Sequence, residues 1–333
     1  MEFLHDYGLF LAKTVTMVIA LLIVIGAVAA ATVRSRGRPR ERLELRRLNE
    51  RYRDMAERIE NELTPQRASW RLKRRRRAAR QGERKAAGDR TRLFILDFHG
   101  DLRASATESL REEISAVLTA ARPGDRVLLR LESAGGLVHN YGLAASQLAR
   151  LREHRIHLSV SIDRVAASGG YLMASVADHL VAAPFAIVGS IGVVAQVPNF
   201  HRVLKKHEVD FELHTAGEFK RTLTLFGENT DAARSKFREE LDAVHQLFKN
   251  HIARYRSGLN VDEVATGEYW LGARARELGL VDELGTSDDF LLARIETTEL
   301  IALRFRRREP MTRRLSLAVE TLLLRLTGSS ASN

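Results

Sequence analysis

Three regimes of apolar and polar residues divide the chain. From Thr14 to Val33 the sequence TVTMVIALLIVIGAVAAATV carries no charge, and Lys13 stands at its edge. About 20 apolar residues at 1.5 Å each span a hydrocarbon core of about 30 Å, so Tyr7–Val33 predicts a transmembrane helix. A cleaved signal peptide fits poorly. Glu2 and Asp6 stand where a basic start belongs and the run is too long, although Ala27–Ala31 offers small residues for cleavage. Next, Leu45, Leu48, Tyr52, Met55, Ile59 and Leu63 recur at spacings of three and four. That pattern predicts an amphipathic helix, either a short coiled coil between protomers or a helix lying on the membrane or on its own domain. Pro65 marks a break before an Arg/Ala/Gly-rich tether.

From Arg92 onward short apolar runs alternate with helical spacings. Leu93–Gly100, Arg126–Ser133 and Ile156–Asp163 read as strands, followed by strand-like His179–Pro184 and Ala186–Val194. Ser105–Ala121, with Leu110, Ile114, Val117 and Leu118, reads as a helix, as do Tyr141–Arg152 and Gly169–Ala177. Strands alternating with helices at these spacings predict crossover units and an α/β fold with a mostly parallel sheet. Leu180–Phe200 is apolar enough to suggest a second span. Pro184, Gly189, Gly192 and Pro198 interrupt it, which favours buried strands and turns. Ala232–Arg256 predicts a long helix with Phe237, Leu241, Val244, Leu247, Phe248 and Ile252 on one stripe, for core or subunit packing. Leu315–Leu326 predicts a short amphipathic helix. The expected organisation is an anchor at 7–33, a basic linker at 34–90, a globular domain at 91–300 and a tail at 301–333.

Charge sharpens the middle of that division. The chain has a net charge of +11, yet residues 34–90 hold 21 of the 53 Lys+Arg and only 9 of the 42 Asp+Glu. The whole excess lies in the linker, so the high isoelectric point does not point to a nucleic-acid-binding fold. Trp70 alone interleaves the basic run with an aromatic ring, which leaves RNA binding with little support. Such a run suits anionic lipid headgroups. Five arginines, Arg34, Arg36, Arg38, Arg40 and Arg42, follow the span at once, and the positive-inside rule then puts the globular part in the cytoplasm. The absence of cysteine excludes disulfides, thiolate metal sites, iron–sulfur clusters and a cysteine nucleophile. No metal or cofactor is expected.

Two strand ends carry small residues suited to chemistry: Glu132-Ser133-Ala134-Gly135-Gly136 and Ala166-Ala167-Ser168-Gly169-Gly170. At the second, a serine leaves a strand and opens a helix. A nucleophile there has free backbone N–H groups around it that can hold a developing oxyanion. The glycine pair at 135–136 allows a second donor to approach closely. Either motif alone is also an ordinary strand-to-helix turn. A serine needs a base. His139 and His214 are the nearest histidines by segment. Lys220 is the alternative, with Phe219, Leu223, Leu225 and Phe226 as a possible apolar wall, since desolvation disfavours an ammonium. Spacing alone does not choose between them.

In chain order, ESAGG, VAASGGYLMA, GSIGVV, HTAGEFKRTLT and GLVDELGTSDD resemble the S49 peptidases of the signal peptide peptidase A type. The resemblance covers the chain from Met1 to about Asp289. It implies a ClpP/crotonase-like fold and a Ser–Lys dyad, with Ser168 as nucleophile, Lys220 as general base, and Gly136 and Gly169 as oxyanion donors. The family's usual Pro in the first motif is Ala134 here, which loses turn rigidity but no donor. The resemblance further implies peptide or unfolded-protein substrates, a membrane-bound ring or dome of like protomers, and a neighbouring protomer that helps complete a site. Many such peptidases work outside the cytoplasmic membrane of bacteria, against the orientation the arginines predict. A catalytically weak scaffold on the same fold is the alternative function. An acyl-CoA enzyme on the related crotonase fold is disfavoured by the pairing of Ser168 with Lys220.

Overall fold

A computed structural model describes residues 8–20, 42–63 and 90–306. Much of the expected anchor, the arginine run of the tether and the helix expected at Leu315–Leu326 lie outside the described residues. Residues 8–20 form helix α1, in which the Thr14 and Thr16 hydroxyls donate back to the Phe10 and Ala12 carbonyls at 2.9 and 2.8 Å. Among the described residues no helix is long and apolar enough to cross a membrane.

Glu44–Arg304 forms one compact unit. Its central elements are β2 (Arg92–Gly100), α3 (Thr107–Ala120), β3 (Arg126–Ser133), α4 (Val138–Glu153), β4 (His157–Ile162), β5 (Val165–Ala167), α5 (Gly169–Ala174), β6 (His179–Ala182) and β7 (Ile187–Gly189). The remaining elements after β7 are α6 (His201–Lys206), α7 (Asp231–Tyr255), α8 (Val261–Val264), β8 (Tyr269–Leu271), α9 (Gly272–Glu277), β9 (Glu283–Leu284), α10 (Ser287–Leu292) and β10 (Glu299–Arg306). The α/β reading with a mostly parallel sheet holds. From β10 through β2, β3, β4 and β6 to β9 every pairing is parallel, and β7 with β8 is antiparallel. Leu93, Phe94, Ile95, Leu96 and Phe98 of β2 are all buried, as expected of a strand covered on both faces. On one face Phe98 meets the Tyr141 ring of α4 edge-on, with centroids 6.5 Å apart. On the other, Leu93, Ile95 and Leu128 pack with Phe290, Leu291, Leu300 and Leu48.

That last contact brings the start of the expected linker into the core beside the sheet. Arg42–Arg47 forms strand β1 beside β10, and α2 begins only at Leu48 and runs to Leu63. Leu45 therefore lies in a strand, not on a helical stripe. Leu48 enters the core, and Asn49 beside it is buried. The Asn49 amide donates to the Ile295 and Thr298 carbonyls at 2.8 and 2.9 Å and accepts from the Leu300 N–H at 2.7 Å. The start of the supposed linker is thus locked onto its own domain, while Met55, Ile59 and Leu63 are exposed. At the other end the sheet continues through Arg306, past the expected limit at 300.

Two further elements are shorter than their apolar runs suggest. β7 stops at Gly189, where φ is +100°, and Ser190 follows at φ +51°. α5 ends at Ala174. The long helix α7 is capped by Thr230, whose hydroxyl accepts from the Ala233 N–H at 3.2 Å. Of its apolar stripe only Phe248 and Ile252 are buried.

Candidate active site

The site grows out of a change of partner along β3. Through Arg130 the strand pairs with β4, and at Ser133 it pairs with Ala166 of β5. Both chains run parallel, so two residues further on Gly135 arrives beside Ser168. A Cβ on Gly135 would lie 2.8 Å from the Ser168 Cβ, the Gly169 nitrogen and the Ala167 carbonyl oxygen. Gly135 also adopts φ +90°, a conformation that side chains disfavour. The two small-residue motifs singled out in the sequence therefore converge at the carboxyl ends of neighbouring parallel strands, the usual location of ligands in open α/β sheets.

Ser168 is half-buried at the turn from β5 into α5. Its φ of 51° and ψ of −120° are strained for a residue with a Cβ. The strain is held from both sides. The Ser168 N–H donates to the Gly189 carbonyl of β7 at 2.8 Å, and its carbonyl accepts from the Leu172 N–H at 3.0 Å. A sharp strand-to-helix turn of this kind lifts a serine hydroxyl clear of the backbone. Gly169 is the first residue of α5, so its N–H has no carbonyl one turn earlier in the helix to bond. Gly169 must be glycine for a second reason, since a Cβ there would lie 2.5 Å from Cγ of the Tyr141 ring. Gly136 packs equally closely on the Leu102 backbone, and the next residue, Leu137, donates its N–H to the Leu102 carbonyl at 2.9 Å.

Sequence reasoning missed the support beneath these glycines. The Gly135 N–H donates to Ser133 Oγ at 3.1 Å, Ser133 Oγ meets the Tyr141 hydroxyl at 2.6 Å, and that hydroxyl donates to the Asp101 carbonyl at 2.7 Å. Tyr141 has one proton to give, so Ser133 is the donor in the middle bond. Ser133 and Tyr141 are buried, and burial pushes the Tyr141 phenol above its ordinary value, keeping it protonated as the relay requires. The loop at the far end is tied by the Asp101 carboxylate, which accepts from the Ser105 N–H and hydroxyl at 2.8 and 2.7 Å. Those bonds, the backbone one foremost, hold its pKa below the usual carboxylate value. No local pattern signals this chain, because its members come from a strand end, a helix and a loop.

Lys220 has a different setting. It lies in an irregular stretch between α6 and α7, and its N–H donates to the Gly217 carbonyl at 3.2 Å. Its side chain is exposed, and so are Phe219, Leu225 and Phe226. The apolar wall expected around it is engaged elsewhere. Phe226 packs with Phe200 and Phe211, at centroid separations of 6.1 and 5.7 Å, and Lys236 Nζ sits 5.2 Å from the Phe219 ring centre. Within one chain Lys220 is therefore not desolvated. Of the histidines, His139 is exposed in the first turn of α4, and exposed His214 faces Glu212 at 3.2 Å. Among the described residues no hydrogen bond joins Lys220, His139 or His214 to Ser168. No group of three or more His, Cys, Asp or Glu among the described residues is placed to hold a metal ion. The arrangement supplies a strained serine, a helix-start N–H and a glycine turn against it.

Comparison with known proteins adds a family to this geometry. Peptidase family S49 N-terminal matches residues 2–148, and Peptidase family S49 matches residues 150–300. The chain is 43% identical over 325 residues to "Probable protease SohB" of Haemophilus influenzae, covering 94% of this chain and 92% of that protein. It is 53% identical over 240 residues to the protein of the same name from Buchnera aphidicola subsp. Acyrthosiphon pisum, covering 71% of each. Among solved structures, the 1510-N membrane-bound stomatin-specific protease is 12% identical, with a TM-score of 0.41 over 61% of this chain and 84% of that one.

Proposed function

The chain belongs to peptidase family S49, and on that premise we propose that it is a membrane-anchored serine endopeptidase with Ser168 as nucleophile and Lys220 as general base. The observation that carries the reading is the strained backbone of Ser168 at a helix start with Gly135 pressed against it. In this mechanism Ser168 Oγ attacks the scissile carbonyl and its proton passes to the neutral amine of Lys220. The N–H groups of Gly136 and Gly169 hold the resulting oxyanion, and the lysine returns the proton to the leaving amine. Water then releases the acyl group by the same route in reverse. No cofactor enters any step.

The exposure of Lys220 gives this reading a requirement. A lysine surrounded by water is an ammonium and accepts no proton, so the base must be covered before it acts. Exposed apolar side chains precede it in the sequence. Phe185 and Val194 are 83% and 82% accessible, and Val197, Phe200, Val203, Val209, Phe211 and Leu213 are exposed as well. A second copy of the chain is the cover proposed here, in a ring-like homo-oligomer of ClpP/crotonase-like protomers. Unstructured or membrane-derived peptides are the substrates that suit an enclosed site. The same exposure favours the second reading, a catalytically weak oligomeric scaffold. Labelling with a fluorophosphonate separates the two. Modification of Ser168 in the full chain supports the peptidase, and its absence under conditions where the oligomer forms supports the scaffold.

The anchor at 7–33 belongs to the proposal as a single span of a bacterial inner membrane. The five arginines after Val33 favour a cytoplasmic peptidase, whereas family analogy favours the opposite side. A cytoplasm-only reporter fused after Asn333 tests the point, and signal solely from an export-dependent reporter would overturn the charge-based orientation.

A further inference from the structure

Four neighbouring parallel strands of the sheet begin with a cationic or imidazole side chain: Arg92 in β2, Arg126 in β3, His157 in β4 and His179 in β6. Register brings them onto one edge, with Arg126 level with Leu93 on one side and His157 on the other, and His179 level with Ser159. All four line a single cavity of about 530 Å³, closed by Phe290 and Arg294 at the end of α10 and by the hydroxyl-bearing residues Thr91, Thr297 and Thr298.

The carboxylates near this cavity already have partners. Asp125 takes the Arg92 guanidinium, with Nε to Oδ2 at 3.0 Å. Asp178, itself a wall of the cavity, takes Arg152 at 3.1 Å and faces His157 Nδ1 at 3.9 Å, and Glu283 faces His179 Nε2 at 2.9 Å. Two guanidiniums are left over. Among the described residues neither Arg126 nor Arg294 has an ion pair. Arg294 is stacked 3.5 Å from the centre of the Phe290 ring and gives one N–H to the Phe290 carbonyl at 2.8 Å. Burial foremost lowers its pKa from the ordinary value; Glu283 opposes that shift, and the Arg126 charge adds a smaller push in the same direction as burial. Arg126 is exposed, so water screens much of the repulsion between them, and an anion set between the two guanidiniums would gain a contact with each.

We propose that this cavity binds a phosphate-bearing ligand. Donors reach it from several directions: guanidinium forks at Arg126 and Arg294, the imidazole of His157 and the threonine hydroxyls. A tetrahedral oxyanion can use donors from several sides, whereas a lone carboxylate is satisfied by a single fork. The ring beneath Arg294 fixes the orientation of one fork in advance. The site lies at the amino ends of the strands and Ser168 at their carboxyl ends. Seven residues of β3 separate Arg126 from Ser133, about 23 Å at strand rise. Occupancy is therefore separate from the serine chemistry and independent of whether Lys220 is its base.

A phosphate ester in solution and a phospholipid headgroup share this chemistry, and two probes distinguish them. Titration calorimetry on the full chain in a neutral detergent uses pyrophosphate in one arm and dihexanoyl phosphatidic acid in the other. The comparison is wild type against Arg126→Gln, Arg294→Gln and the double variant. Neither arginine carries an ion pair, although Arg294→Gln gives up the stack on Phe290 and the bond to its carbonyl, so the melting temperature and circular dichroism of each variant check that the fold is kept before binding is compared. The expected result is saturable binding of at least one probe, weakened tenfold or more in the double variant. Tighter binding of the phosphatidate assigns the site to a headgroup, and equal or tighter binding of pyrophosphate assigns it to a soluble ester. The proposal is overturned if neither probe binds at millimolar concentration, or if the double variant binds as well as wild type. The latter would put the anion on the arginines of the tether.

Discussion

Ser168 and Lys220 are held by opposite kinds of structure. Around Ser168 one chain settles everything: β3 and β5 set the register, Gly189 fixes the N–H, and three glycines admit the close approach. Around Lys220 one chain settles little. The stretch between α6 and α7 is irregular, its apolar side chains are exposed, and nothing encloses the amine. The difference teaches where the proposed assembly would have to act. On the proposed mechanism the nucleophile, made from strand ends, is ready in a single protomer, whereas the base needs a surface that a single protomer does not provide.

The strongest way to break this contrast is to remove each group. Ser168→Ala is expected to lower peptide hydrolysis by a factor on the order of 1,000 or more and to abolish fluorophosphonate labelling, with the melting temperature little changed. Lys220→Ala should bring hydrolysis down by about 100- to 10,000-fold, while His139→Ala and His214→Ala keep most of the rate. The reverse ranking would mean a histidine base. With lysine as base the rate climbs as pH rises and the amine loses its proton, so a profile that falls between pH 6 and pH 9 would contradict it.

Mixing the two inactive proteins sharpens the contrast further. If Lys220 serves the Ser168 of a neighbouring copy, an equal mixture that exchanges subunits recovers about a quarter of wild-type activity, because that share of sites combines two intact groups. No recovery, with exchange shown by light scattering or fluorescence, would put both groups of a site in the same chain.

Smaller effects test the nucleophile side alone. Gly135→Ala places a methyl 2.8 Å from three atoms at a φ of +90°. It is expected to destabilise by about 1–3 kcal/mol and to reduce kcat by about 100-fold. Tyr141→Phe removes only the hydroxyl that links Ser133 to the Asp101 carbonyl. The expected loss is about 1–2 kcal/mol by chemical denaturation, with kcat reduced several-fold and KM nearly unchanged. An equal rise in KM would make this relay a substrate-binding feature and not a support of the oxyanion turn.

The same contrast explains what the sequence revealed. β3 was legible to the residue at Arg126–Ser133 because Val127, Leu128, Leu129 and Leu131 form a short apolar run that ends in a glycine turn. Ser168 and its glycines were legible because small residues stand where a strand passes into a helix. β5 did not stand out as a separate strand, since Val165–Ala167 is three residues long and its strand character comes from β3 and β7 on either side. β1 was hidden because RLELRR shows only two apolar positions among arginines, and Leu45 also fits a helical spacing with Leu48. The Ser133–Tyr141 bond joins two elements through the fold, so neither residue advertises it locally. The exposure of Lys220 was hidden for another reason. Phe219, Leu223, Leu225 and Phe226 suggest a dry environment, yet sequence does not show that Phe226 turns to Phe200 and Phe211 and that Phe219 turns to Lys236.

The partner change along β3 has a consequence for a cell that must make a protease safely. A slip of one residue between parallel strands turns every side chain to the other face of a sheet and carries the following loop with it. Because Gly135 reaches Ser168 only when Ser133 stands opposite Ala166, a chain still searching for its register has no oxyanion turn beside its serine. On the proposed mechanism such a chain would lack the support its oxyanion needs, however much of its helical layer has formed, and correct register would be the step that completes the nucleophile's site.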